Sequence, residues 1–218
     1  MKFKIVSLFV LCAILISCGT SRQGGKKQRK GTKAQVVLTP EQQRKYDYFF
    51  LEASRLKMKD DYSAAFDLLQ HCLTINPNAS SALYEISQYY MYLKQVPQGQ
   101  AALEKAVEND PDNYWYSQGL ASLYQQQNEM QKATNLLESM ATRFSDRMDP
   151  LYSLLDIYNR LEEYDNVITT LNRLEEKMGK NEQLSMEKFR IYLQKKDNQS
   201  AFREIESLVE EYPMDMRY

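Results

Sequence analysis

The sequence predicts an all-α fold, an α-solenoid of about five stacked helix-turn-helix units. Three observations carry this. Tyr90, Tyr124, Tyr158 and Tyr192 recur at one interval of thirty-four residues, with Leu56 one period earlier; Leu69, Leu103, Leu137, Leu171 and Ile205 keep the same step. A fixed period of that size denotes units that bury their apolar faces against their neighbours. Within each period, apolar residues fall at helical spacing in two runs parted by a short break, and no strand alternation persists. Seven Gly and six Pro in 218 residues are too few for a chain made mostly of tight turns.

The chain opens on Met1-Lys2-Phe3-Lys4 and an apolar run over 5–16. Twelve residues are too few to span a bilayer, which takes about twenty, and suit a signal-peptide core. Leu15-Ile16-Ser17-Cys18 follows and resembles a bacterial lipobox. That resemblance implies a signal peptide over 1–17, cleavage before Cys18 and lipid on its thiol. Two or three acyl chains hold a protein firmly to a membrane, at about 0.8 kcal/mol per buried CH₂. Gly19, rather than Asp, follows the cysteine; by the sorting rule of diderm lipoproteins this implies the outer membrane, facing the periplasm.

Residues 18–39 read as a disordered, flexible tether carrying Arg22, Lys26, Lys27, Arg29, Lys30 and Lys33 with no acid. It serves either as a solvated spacer or as a contact with anionic headgroups. Thr39-Pro40-Glu41-Gln42 ends it: Thr39 as N-cap, Pro40 at the first helical position and Gln42 closing a capping box. The solenoid over 40–218 divides into units near 46–79, 80–113, 114–147, 148–181 and 182–215, and a sixth would begin at 216. The second unit shows the pattern well. Ser81 to Tyr90 is helical, Lys94-Gln95-Val96-Pro97 interrupts, Gln100 to Val107 resumes, and Asn109-Asp110-Pro111-Asp112 closes. Pro77 and Pro213 close other units, since proline disfavours helix in the residue before it. The start of a sixth unit leads us to expect the N-terminal portion of a longer repeat protein.

Small residues recur where helices should cross closely: Ala53, Ser87 and Ala121 on first helices, and Ala65, Gly99, Ala133 and Ala201 on second helices, with Val167 in the fourth copy. This arrangement, as in Leu120-Ala121-x2-Tyr124 followed by Ala133-x3-Leu137, resembles the tetratricopeptide repeat. Glu52 and Lys188 depart from it in the usual Leu slot, and Ser145 and Gly179 replace proline; each change should loosen its unit. The resemblance implies a right-handed superhelix whose first helices line a concave face. On that face it places Tyr84 and Gln88, then Trp115, Gln118 and Ser122, then Tyr152 and Asp156. Met91, Gln125, Asn159, Met186 and Arg190 fall there too. The surface is aromatic and amide-rich, and lacks the Lys/Asn/Arg set that clamps a C-terminal carboxylate. Packing of Trp115 and the tyrosines between repeats is the alternative use of the same residues.

Charge and chemistry narrow the function. Eight of the 28 basic residues precede Pro40 and all 29 acidic ones follow it, leaving the helical part acidic. Nucleic-acid recognition needs the opposite sign, so no nucleic-acid partner is expected. No catalytic constellation stands out. The single histidine, His71, adjoins Cys72, but neighbours on a helix point about 100° apart. Cys72 occupies the slot of Ala106 and reads as a buried small residue. Glu162-Glu163, Glu175-Glu176 and Glu210-Glu211 read as solvated surface. No metal site, cofactor or enzymatic activity is expected. The expected function is a membrane-anchored scaffold that holds protein or peptide partners in the bacterial envelope, in assembly or secretion. Alternatives are a peptide or glycan binder, or an interaction region whose activity lies elsewhere in a longer protein.

Overall fold

The computed structural model describes residues 37–213, which form ten helices in five pairs. They are α1 (Pro40–Lys57), α2 (Tyr62–Ile75), α3 (Ser80–Tyr92), α4 (Val96–Asn109), α5 (Tyr114–Gln126), α6 (Met130–Arg143), α7 (Asp149–Arg160), α8 (Tyr164–Met178), α9 (Glu182–Gln194) and α10 (Asn198–Glu211). The expected signal peptide, Cys18, most of the expected tether and the expected start of a sixth unit lie outside the described residues.

Helix ends follow from local chemistry. Thr39 caps α1: its hydroxyl accepts from the Gln42 amide, and the Gln42 side chain accepts from the Thr39 amide. Each first helix then stops in the same way. The residue after Leu56, Tyr90, Tyr124, Tyr158 or Tyr192 by five positions donates its amide back to that carbonyl, at 2.8–3.0 Å. Just before that donor stands one residue with positive φ: Asp60, Lys94, Asn128, Glu162 or Lys196. This pattern of a six-to-one bond closed by a left-handed residue is a Schellman ending. Val96 and Pro97, read from sequence as part of the interruption, belong to the first turn of α4, where proline's missing donor costs nothing.

Packing follows the register. Leu69, Leu103, Leu137 and Leu171 are buried, as are Ala53, Ser87, Ala121, Ala65, Ala133, Val167 and Ala201. Gly99 occupies its slot for a particular reason. A Cβ there would lie 2.8 Å from Met91 Cε and 3.1 Å from the Ser87 carbonyl, and the copies with Ala lack that Met. First helices of successive units adjoin: Tyr46 Oη lies 2.9 Å from Ser81 Oγ, and Lys57 Nζ 2.7 Å from Glu85. Second helices adjoin likewise, with Arg173 2.8 Å from Glu138. Tyr84 packs against both the core of the first two units and that of the last three. The apolar core therefore continues from unit to unit, as stacking requires.

Two sequence expectations are corrected. Lys188 does not simply weaken the fifth unit: it is 1% exposed and donates to Glu175 at 2.8 Å and to Asn172 at 3.2 Å, with Glu204 2.9 Å away. Glu175 accordingly is no solvated carboxylate. Lys180 completes the group, 3.3 Å from Glu175 and 3.0 Å from Glu204. A charge in a Leu slot needs buried partners, and α8 and α10 supply them.

Candidate functional site

The sequence-derived face falls on α3, α5, α7 and α9, and its members are used unequally. Tyr84 is half-buried and stacks on Tyr116 of the next unit, ring centroids 4.8 Å apart. Gly119 lies against that stack, where a Cβ would sit in ordinary contact with the Tyr84 ring at 3.6 Å. Tyr84 therefore joins repeats. Gln88 is exposed, its amide donating to Ser87 Oγ at 3.2 Å. Gln118 is half-buried and accepts from the Tyr114 hydroxyl at 3.0 Å; Ser122 is half-buried as well. Tyr152 and Asp156 are exposed on α7. The Tyr152 hydroxyl donates to Met178 Sδ at 3.4 Å, and Arg160 lies 3.8 Å from Asp156.

Trp115 differs from the rest. It stands in the first turn of α5 and is 64% exposed, although an indole gains much by burial. Tyr114 beside it is buried, meeting Trp115 edge to face at 5.3 Å and Phe144 at 5.3 Å. The Arg147 guanidinium lies 4.0 Å from the Tyr114 ring centre and 5.6 Å from that of Trp115. Cation–π contact of this kind restrains both groups. The result is a packed platform of one exposed indole, one buried phenol and one cation. The thirty-four-residue register points to Trp115 but carries no signal for Tyr114, Phe144 and Arg147. Arg147 comes from the turn before α7, so only the fold brings it to α5.

The other chemistry stays structural. Cys72 is buried, its thiol 3.8 Å from the Tyr46 carbonyl, and burial pushes its pKa up to about 11. Such a thiol is a poor nucleophile. His71 is exposed and its ring contacts Phe49. Among the described residues, no group of three His, Cys, Asp or Glu is placed to hold a metal. Nor is any helix there long and apolar enough to cross a membrane.

Residues 80–113, the second unit, match the tetratricopeptide repeat family. The helix pairs on either side repeat that unit's length, turn and burial. The described residues have the fold of tetratricopeptide-repeat proteins. Solved structures agree. A tetratricopeptide repeat protein from Parabacteroides merdae ATCC 43184 superposes with a TM-score of 0.57 at 16% identity, over 79% of this chain and 68% of its own. MamA from Desulfovibrio magneticus RS-1, from residue 41 onward, gives 0.52 at 14% identity, over 78% of this chain and 97% of its own. YrrB, a tetratricopeptide-repeat protein with an unusual peptide-binding site, gives 0.53 at 13% identity, over 77% and 87%. No curated protein matches the chain significantly. At these identities the likeness concerns the repeat fold.

Proposed function

We propose that this chain is a lipid-anchored scaffold of the bacterial cell envelope, which holds a polypeptide partner on the exposed face of its first helices. The observation that carries the reading is Trp115, left 64% exposed on a platform that is otherwise well packed. Exposed aromatics held rigid lose little entropy on binding and dominate many interfaces. Tyr152, Gln88 and Asp156 extend the surface with an exposed ring, an amide and a carboxylate. Such a mixture suits the alternating apolar and hydrogen-bonding groups of a peptide. The tetratricopeptide family generally serves protein and peptide binding, and the peptide-binding site of YrrB agrees in kind.

The anchor rests on Leu15-Ile16-Ser17-Cys18, and the outer membrane on Gly19. Cys18→Ser should abolish incorporation of labelled fatty acid and move the protein from the membrane to the soluble fraction; unchanged incorporation contradicts the lipidation. Trp115→Ala should leave helical circular dichroism and Tm nearly intact, because the indole is exposed, yet weaken partner binding by about 2 kcal/mol or more. Unchanged affinity in that folded variant would sink the groove assignment. Retention of glycan with no protein partner would favour a carbohydrate-binding use of the same face.

A further inference from the structure

Helix α1 carries an outward line of side chains that its own packing does not use. Arg44, Tyr48, Leu51, Arg55 and Met58 stand at i, i+4, i+7, i+11 and i+14, so they share one side, opposite the buried Tyr46 and Ala53. All five are exposed, Tyr48 at 65%, Leu51 at 68% and Met58 at 86%. Another repeat is a poor cover for them. Arg55 takes the slot that holds Tyr89, Leu123, Ile157 and Ile191 in the later units, all buried. It donates twice to Glu52, and a helix packed there would strip both charges of water with no new partner.

The charge of the chain points to a cover of a different kind. Residues 40–59 hold five basic and three acidic side chains, whereas residues 60–218 hold fifteen and twenty-six. The three acids of α1 are engaged: Glu41 with Lys45, Glu52 with Arg55, and Asp47 with the Gln43 amide. The six cations of 19–39 come immediately before the helix in the chain. An anionic surface therefore attracts this end of the repeats and repels the remainder.

We propose that the outward side of α1 rests on an anionic lipid surface. The proposal builds on the lipid anchor at Cys18 and adds the way the repeats are held against the membrane. Tyr48, Leu51 and Met58 enter the headgroup layer, where a tyrosine keeps its ring apolar and its hydroxyl wet. Arg44 and Arg55 reach lipid phosphates, which accept from a guanidinium at two points. Contact is shallow, because the opposite side of α1 is packed into the core of the first two units. The later units, with Trp115 and Tyr152, are held away from the lipid and stay open to a partner.

The test uses the full chain, isolated with its lipid and reconstituted into phosphatidylcholine vesicles with or without phosphatidylglycerol. A nitroxide is carried on Leu51→Cys or, as control, on Ser139→Cys of α6, which is exposed. With phosphatidylglycerol present, the Leu51 label should lose access to a water-soluble nickel complex and gain access to oxygen, while the Ser139 label should not change. With the label on Met58→Cys instead, Arg44→Glu combined with Tyr48→Ser should return it to water without loss of helix signal, since both side chains are exposed. A chain that floats with the vesicles while its Leu51 label stays as wet as that at Ser139 keeps the anchor and overturns the proposal. Shielding that is the same without phosphatidylglycerol also overturns it, as does dipolar broadening between Leu51 labels, which would mean that a second copy covers the face. A chain that floats with neither vesicle overturns the anchor and the proposal together.

Discussion

Asp60, Lys94, Asn128, Glu162 and Lys196 all hold φ between 58° and 60°, one in each unit. The left-handed conformation brings Cβ close to the following carbonyl and costs about 1–2 kcal/mol for an ordinary residue. Asn and Asp relieve it with local hydrogen bonds; Lys and Glu do not. Glu162→Gly should therefore raise stability by about 1 kcal/mol in urea titration, and Glu162→Val should lower it. Equal midpoints for the three proteins would mean that the turn is not strained. The five positions share a register, but no shared chemistry marks them in the sequence, since no glycine occurs there. That is why the thirty-four-residue period was legible and the turn that closes each first helix was not. At Cys72 the reverse held, because its register with Ala106 already gave a buried small side chain.

At the scale of elements, α8 and α9 share the apolar core like the inner units, and a buried charge cluster ties both to α10. Burial by itself would raise the Glu175 carboxyl, but Lys188 and Lys180 overcome it and hold the group below the ordinary carboxylate range. A carboxylate whose pKa is lowered by folding stabilises the fold above its unfolded value of about 4.3, and this contribution is lost as pH falls through the folded value. The fifth unit should therefore loosen first in acid, with hydrogen-exchange protection of α9 and α10 falling below about pH 4 while that of α5 and α6 persists. Lys188→Ala leaves two carboxylates short of a cation and should cost about 3–5 kcal/mol. One period earlier the corresponding slots hold Leu154, Ala141 and Thr170. The triple variant Lys188→Leu, Glu175→Ala, Glu204→Thr should regain most of that loss and flatten the acid dependence. An unstable triple variant would show that the charges do more than satisfy one another. The sequence revealed Lys188 as a departure, but its partners lie thirteen and sixteen positions away in opposite directions along the chain, so their convergence is a property of the stack.

For the whole molecule, the all-α repeat architecture follows almost directly from the sequence, because each unit is local and its neighbours repeat it. The candidate site is less legible for the same reason. Periodicity identifies which residues share a face, but it does not separate Tyr84, which the stack uses to join units, from Trp115, which it leaves outward. On the proposed function, the outward face of the first helices receives the partner. A photo-activatable side chain placed at Gln88, Trp115 or Asp156, and in parallel at the exposed Gln131 and Ser139 on α6, tests it most directly when activated in intact envelopes. One discrete polypeptide should be crosslinked from the first-helix positions, with little from α6. Equal crosslinking from both faces, or crosslinking from α6 alone, would contradict it.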